Sequence, residues 1–436
     1  RGATHDLNEI ASTGLAMYAA IGLVTLPIGV VLAWLVPWIA RLHGHLVWDA
    51  RIATLLIVLS LALRFPLGLF NNLLVAQQRW DLQNLGNFVS TVLYAALVAV
   101  LIPHGGGIVL VAALTFATTL LRLTLPLLWL RRELPELRVR RSLVTRARLR
   151  ELTSFSSSNF LFHVAQKIVF STDVIVVTIV LGAQPAAVYG VPAKLFALVF
   201  GIGTAVTSLM FPAFAELEGA DARERQRSLL LSGLRAGSAL MLLLALPLLL
   251  IPDLLIRAWI HTPGYGGSYA VMSILAAVLL VHQPIYVLTQ FLIARARQRE
   301  VAWVSIGTTL ANLALSFALA WTWGTWGVAL STLVTDAAML AWILPRYAAP
   351  AAGTTTWALA AATIRPAVPA AVAGALVFGL LARLWWSPAT LLALVPLGLL
   401  WTAVCGAAVW RFGLAAPERA RLRSELLPRR PALAGR

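Results

Sequence analysis

Eight ionisable residues lie inside long apolar tracts of this 436-residue chain: Arg64, Arg122, Lys167, Lys194, Arg235 and Arg365 are basic, Asp173 and Asp336 acidic. A charge at the middle of a bilayer costs roughly 2.5–3.5 kcal/mol or more, so such side chains face a wet cavity or a partner. Depth sorts the bases. Arg64 stands 12 residues into its tract and Lys167 stands 13 into its own, which places both near the midplane. Arg122, Arg235 and Arg365 stand nearer the inner ends, where a long side chain reaches the headgroups. Snorkelling is the favoured reading of those three. A guanidinium grips phosphate oxygens in a fork and an ammonium acts as a point charge. Arg64, Lys167 and Lys194 are therefore candidates to line a wet cavity that suits an anion, with a purely structural role as the competing reading.

Lys167 belongs to a polar stripe, Asn159, His163, Lys167 and Ser171, repeating every four residues on one side of a helix. Such a stripe either packs as a structural network or lines a transport cavity. The cavity reading adds His163 to the binding set. Lys167 and Lys194 are the only two lysines beside 32 arginines, and both fall in membrane tracts. Asp173 and Asp336 are the two candidates for a coupling-ion or proton site; the competing reading pairs each with a nearby Lys or Arg. No metal is expected, because the remaining histidines lie mostly in loops without ligand spacing. No cofactor is expected either, and no phosphate-cradling nucleotide motif is present. The single cysteine, Cys405, excludes a disulfide framework and a Cys-based metal cluster.

These residues need elements that cross a membrane. The chain is 60% hydrophobic and only 12% charged, where a soluble domain is about a quarter charged. Apolar segments of spanning length fall at about 15–40, 52–75, 85–103, 107–130, 154–182, 187–212, 228–256, 268–294, 300–323, 326–345, 357–383 and 389–411. Between the fourth and fifth stands RRELPELRVRRSLVTRARLRE, residues 131–151, with eight arginines. No helix carries that stretch through a bilayer, and Arg-rich loops stay cytoplasmic. With residues 1–14 inside, inner segments hold 24 arginines and outer segments four. The net charge of +17 thus reflects insertion, and no nucleic-acid partner is expected. The expected division is a front lobe at 1–130, the basic linker at 131–151, a rear lobe at 152–346, two further helices at 347–412 and a basic tail at 413–436.

An internal repeat ties the lobes together. Pro66, Ala76 and Arg79 recur as Pro284, Ala294 and Arg297, each 218 residues on. Thr13-Gly14-Leu15 recurs as Ser232-Gly233-Leu234, Pro27 as Pro247 and Gly107 as Gly327, at offsets of 219 or 220. Arg64 pairs with His282 at 218, which brings His282 into the expected binding set. Each stands two residues before a proline, and equivalent kinks suit a rocking mechanism or simply shape packing. The rear lobe has two extra helices in front, so two helices are expected to be missing before residue 1. The fold class expected is an all-α polytopic membrane protein of two pseudo-symmetric six-helix lobes plus two C-terminal helices. Parallel repeats of this kind hold substrate near the midplane.

Several stretches carry a family resemblance: RFPLGLFNNLLVAQQRWDLQN at 64–84, the run 173–214 with Asp173, Gly182, Tyr189, Lys194 and Phe211-Pro212, and 294–330 with Asn312 and Gly324-x-x-Gly327. The chain resembles the polysaccharide-export (oligosaccharide flippase) branch of the multidrug/oligosaccharidyl-lipid/polysaccharide flippase superfamily. The resemblance implies alternating access between two lobes around a cationic cavity. It implies a lipid-linked oligosaccharide of the undecaprenyl-pyrophosphate type as cargo. It further implies a multi-pass place in the bacterial cytoplasmic membrane among membrane lipids, with a polysaccharide polymerase and glycosyltransferases as partners. The alternative within the superfamily is a cation-coupled multidrug exporter, which needs cavity acids that are sparse here. An enzyme reading wants paired outer carboxylates, and the outer loops offer only Asp49 and Asp253 in different lobes.

Overall fold

The computed structural model describes residues 2–77, 79–150, 152–153, 172–261, 264–382, 390, 392–413 and 419. Lys167, His163 and the rest of their stripe lie outside the described residues. The chain divides into two compact units, Arg1–Gln166 and Lys167–Arg436. Its described elements are helical, and ten of them are long and apolar enough to cross a membrane.

The N-terminal unit holds α1 (Gly2–Ile39), α2 (Leu46–Ala76), α3 (Trp80–Leu101) and α4 (Gly107–Glu133). Helix α2 packs on α1 and α4, and α3 packs on α4. Small residues let α1 and α2 approach. A Cβ at Gly22 would stand 2.5 Å from Ala62 O, and one at Gly29 would stand 2.0 Å from Val58 Cγ1. Arg79 closes the turn between α2 and α3, bonding Asp81 at 3.1 Å and Glu133 at the end of α4. The Asp81 hydrogen bond, then the fields of both carboxylates, hold the Arg79 guanidinium above its ordinary range.

The basic linker docks on the start of α1. Arg148 reaches Asp6 at 3.0 Å and Glu9 at 3.5 Å, and the Thr145 hydroxyl donates to Glu9 at 2.7 Å. Asn8 and Ser12 accept from the backbone N–H groups of Arg138 and Arg140 at 2.7 and 3.1 Å. The linker thus belongs to the N-terminal unit.

The C-terminal unit holds α5 (Thr172–Leu181), α6 (Ala183–Ser208), α7 (Met210–Gly219), α8 (Arg223–Leu250), α9 (Pro252–Trp259), α10 (Ser268–Ala294) and α11 (Gln298–Ala338). Then follow α12 (Leu344–Ala351), α13 (Thr356–Ile364), α14 (Ala367–Gly374) and α15 (Val395–Ala408). Helix α10 is the hub, packed against α6, α7, α8, α11 and α12. Gln298–Ala351 runs helical for 54 residues, about 80 Å at 1.5 Å per residue, far beyond a hydrocarbon core of about 30 Å. It breaks at Gly324, whose φ of 66° and ψ of −144° only glycine adopts readily. Two antiparallel arms result, matching the segments expected at 300–323 and 326–345. That merger, and the undescribed 154–171, account for ten described spans against twelve expected.

Helices α13 to α15 do not form a layer of their own. They pack on α8 around Leu242, Leu246, Phe378 and Trp401. The Trp401 indole donates to Leu243 O at 2.7 Å. That carbonyl is free because its helical partner would be residue 247, a proline without an N–H. The same device joins α10 to α6, where Ser268 Oγ donates at 2.6 Å to Val188 O, the carbonyl freed by Pro192.

The repeat is visible in each unit. Helices α2 and α10 end at Ala76 and Ala294, and α3 and α11 begin at Trp80 and Gln298, all 218 apart. Gly14 faces Leu69, and Gly233 faces Val287, the residue 218 after Leu69. Arg297 repeats Arg79, bonding Glu300 at 2.9 Å and Tyr347 O at 3.2 Å. Gly107 opens α4 with φ of 53°, and the matching left-handed glycine is Gly324 rather than Gly327.

Candidate functional site: a polar network in the C-terminal unit

Helices α5, α6, α10 and both arms of α11 bring their polar residues to one place. Asp173 on α5 accepts from the Tyr189 hydroxyl at 2.9 Å and from Thr332 Oγ1 at 3.2 Å. Tyr189 is 1% exposed, so its hydroxyl needs this partner. Asn312, on the first arm of α11, donates through Nδ2 to Thr332 at 3.1 Å and Ser331 at 3.3 Å on the second. Ser316 meets Ser331 at 2.6 Å, and both are buried. Asp336 follows Thr332 by one turn, and its Oδ2 lies 2.8 Å from His282 Nδ1 on α10. Phe200 of α6 sets its ring edgewise to that imidazole at 5.2 Å. A π-helical turn, Met339–Ile343, begins three residues after Asp336.

Asp173 and Asp336 stand within each other's electrostatic field. Asp173 Oδ1 is buried and takes no hydrogen bond among the described residues. Two carboxylates in a low dielectric repel, and a cation between or beside them relieves that repulsion. The donor set is oxygen-rich, which suits a hard cation or a proton. Neither acid pairs with a Lys or Arg among the described residues.

The other expected site residues fall elsewhere. His282 sits against Asp336, within the acid network. Lys194 is exposed on α6 and makes no ion pair among the described residues. Arg64 is exposed on α2 in the N-terminal unit, likewise without an ion pair among the described residues. His5, Asp6 and Glu9 offer clustered ligand atoms at the start of α1, but Arg148 already occupies the two carboxylates. Sequence reasoning missed Ser316, Ser331, Thr332 and Thr335. Their signal was a run of small hydroxyls, Ser331, Thr332 and Thr335, with Ser331/Thr335 and Thr332/Asp336 each one helical turn apart.

An apolar helical bundle that repeats itself, is broken at a glycine and has ten helices of spanning length among its described residues defines a multi-pass membrane protein. The chain belongs to the family of polysaccharide biosynthesis proteins, whose profile matches residues 12–262. Its fold is similar to that of the lipid II flippase MurJ in an inward closed conformation. The likeness covers 92% of this chain and 84% of that one, with a TM-score of 0.69 at 12% sequence identity. No curated protein sequence matches the chain.

Proposed function

We propose that this protein is a flippase for a lipid-linked oligosaccharide, moving an undecaprenyl-pyrophosphate-type cargo across the bacterial cytoplasmic membrane by alternating access. One observation carries the reading. The span acids are already engaged, Asp173 by Tyr189 and Thr332 and Asp336 by His282. The span bases Arg64 and Lys194 have no carboxylate partner among the described residues. A surplus of uncompensated cations in an apolar medium fits anionic cargo and does not fit a cationic drug. Arg64, Lys194, Lys167 and His163 are assigned to the pyrophosphate. Asp173, Asp336 and His282 are assigned to the coupling cation, a proton or an alkali ion. A polymerase and glycosyltransferases would act on either side of the transport step.

The test is reconstitution of the full chain in proteoliposomes holding a fluorescent isoprenyl-pyrophosphate oligosaccharide, with flipping read by an impermeant quencher. Transport is expected for the wild type and a loss of at least about tenfold for Asp173→Asn, the equivalent of about 1.4 kcal/mol in the barrier. A sodium gradient and a pH gradient, imposed separately, name the coupling ion. Extrusion of a cationic dye without any flipping would overturn the proposal in favour of a multidrug exporter.

A further inference from the structure

Arg51 stands at the end of the N-terminal unit opposite the docked linker, five residues after α2 opens at Leu46. Its guanidinium carbon lies 4.0 Å from the ring centroid of Trp34 on α1 and 4.8 Å from that of Trp48. Arg51 Nε is buried and takes no acceptor among the described residues. The indoles cannot supply one, because an indole nitrogen is a donor only. Asp49 stands two residues earlier, about 160° away around the helix at 100° per residue. No carboxylate pairs with Arg51 among the described residues.

The other unit solves the same problem differently. The repeat offset of 218 carries Arg51 to Tyr269 on α10. There the aromatic residue holds the repeated position and the cation comes from the neighbouring helix. Arg257 on α9 sets its guanidinium 5.7 Å from the Tyr269 ring, and its Nε donates to the Tyr269 hydroxyl at 3.2 Å. Each unit thus holds a cation–aromatic pair at this end of equivalent helices, with the partners exchanged. A phenol accepts a hydrogen bond and an indole does not. The exchange therefore satisfies Arg257 Nε and leaves Arg51 Nε without an acceptor.

The surface around Arg51 is apolar. Val31 and Trp38 on α1 and Leu55 on α2 are exposed beside it. Such a face meets acyl chains in a bilayer, and tryptophans at helix ends sit at headgroup level. Arg51 as a whole is only half-buried, so with Nε sealed its terminal N–H groups are the edge that can still be met. A charge held between neutral rings and short of one hydrogen bond favours an anionic acceptor at that edge. The acceptor found at headgroup level beside acyl chains is a lipid phosphate.

We propose that Arg51, Trp34 and Trp48 form a site for the phosphate of an anionic glycerophospholipid, in the outer leaflet on the expected topology. The rings fix the guanidinium plane, its terminal edge donates to the phosphate oxygens, and the acyl chains lie along Val31 and Leu55. The matching place in the C-terminal unit, where Tyr269 satisfies Arg257, takes no lipid in this way. The site faces bulk lipid and lies apart from the residues assigned to cargo, so it stands or falls independently of the flippase reading.

The test reconstitutes the full chain in vesicles that hold a photoactivatable phosphatidylglycerol, reactive at its headgroup and kept below saturation, and maps the labelled peptides. Labelling is expected within residues 34–52. Arg51→Gln should lower it there roughly 10- to 100-fold, the scale of a lost charge-assisted hydrogen bond, and Arg257→Gln should leave it unchanged. If Arg51→Gln does not fold, Arg51→Lys decides. It keeps the charge but loses the planar edge, and must label at least about threefold more weakly. Undiminished labelling in the Arg51 variants would mean an aromatic belt only and overturns the site. Equal labelling by a phosphatidylcholine probe of the same design overturns the selection for an anionic lipid. Displacement of the probe by farnesyl pyrophosphate assigns the site to cargo, and displacement by millimolar inorganic phosphate assigns it to a free anion; either overturns the phospholipid.

Discussion

The Tyr189 hydroxyl is a small group with a large structural burden. It is buried beside Asp173, and the carboxylate accepts from it and from Thr332. Tyr189→Phe keeps the ring and removes one donor from a carboxylate in a low-dielectric site. The loss should be about 1.5–3 kcal/mol of stability, the scale of a hydrogen bond to a charged group. Chemical unfolding of the detergent-purified protein would measure it, and an unchanged midpoint would show that Tyr189 serves packing alone. Thr332→Val should act in the same direction through the same oxygen. The sequence marked Asp173 and Asp336 as acids inside apolar tracts, because a charge in such a tract stands out whatever surrounds it. It offered Lys or Arg as their partners. The partners found are a tyrosine 16 residues on, a threonine 159 residues on and, for Asp336, a histidine 54 residues back. A neutral hydroxyl leaves no mark in a hydropathy pattern, and contact across such separations is decided by helix packing that no local pattern encodes.

At the scale of elements, glycine and proline set the shape, and neighbours repair what they break. Gly324 reverses the chain between the two arms of α11, in a conformation costly for any other residue. Gly324→Ala should destabilise the C-terminal unit by about 1–3 kcal/mol. Because Asn312 and Ser316 meet Ser331 and Thr332 across that reversal, the substitution should also loosen the network and raise hydrogen exchange at both arms. The break itself was legible, since two spans of about 20 residues cannot be joined straight through one bilayer. The repairs were not. Pro192 and Pro247 each free a carbonyl one turn back, and the sequence shows that much. That Ser268 and Trp401 supply the donors is a fact of packing, from 80 and 158 residues away. Trp401→Phe should cost about 1 kcal/mol, read as a lower unfolding midpoint, while the matched change at exposed Trp357 should cost nothing measurable.

The whole molecule is marked by where its charge stands. On the expected topology inner segments carry 24 arginines and outer segments four, and the densest cluster is held down rather than left loose. Asp6 and Glu9 at the start of α1 take Arg148, and Asn8 and Ser12 take the backbone of the same linker. A linker fastened to one unit moves with that unit, so any motion between units is absorbed elsewhere than in residues 134–148. Trypsin reads both points at once. In inside-out vesicles it should cut at the exposed arginines of the linker, and in right-side-out vesicles it should leave the linker whole. Arg148→Glu should speed the cut at Arg140, Arg141 and Arg146, since two ion pairs are lost and two repulsions replace them. Adding Glu9→Arg to that variant rebuilds one pair with its charges exchanged and should slow cleavage again. Exposed ion pairs are worth at most about 1 kcal/mol each, so the expected change is severalfold rather than a hundredfold. Cleavage from the outside would reverse the orientation. A rate indifferent to Arg148 would mean that the backbone bonds to Asn8 and Ser12 alone hold the linker to α1.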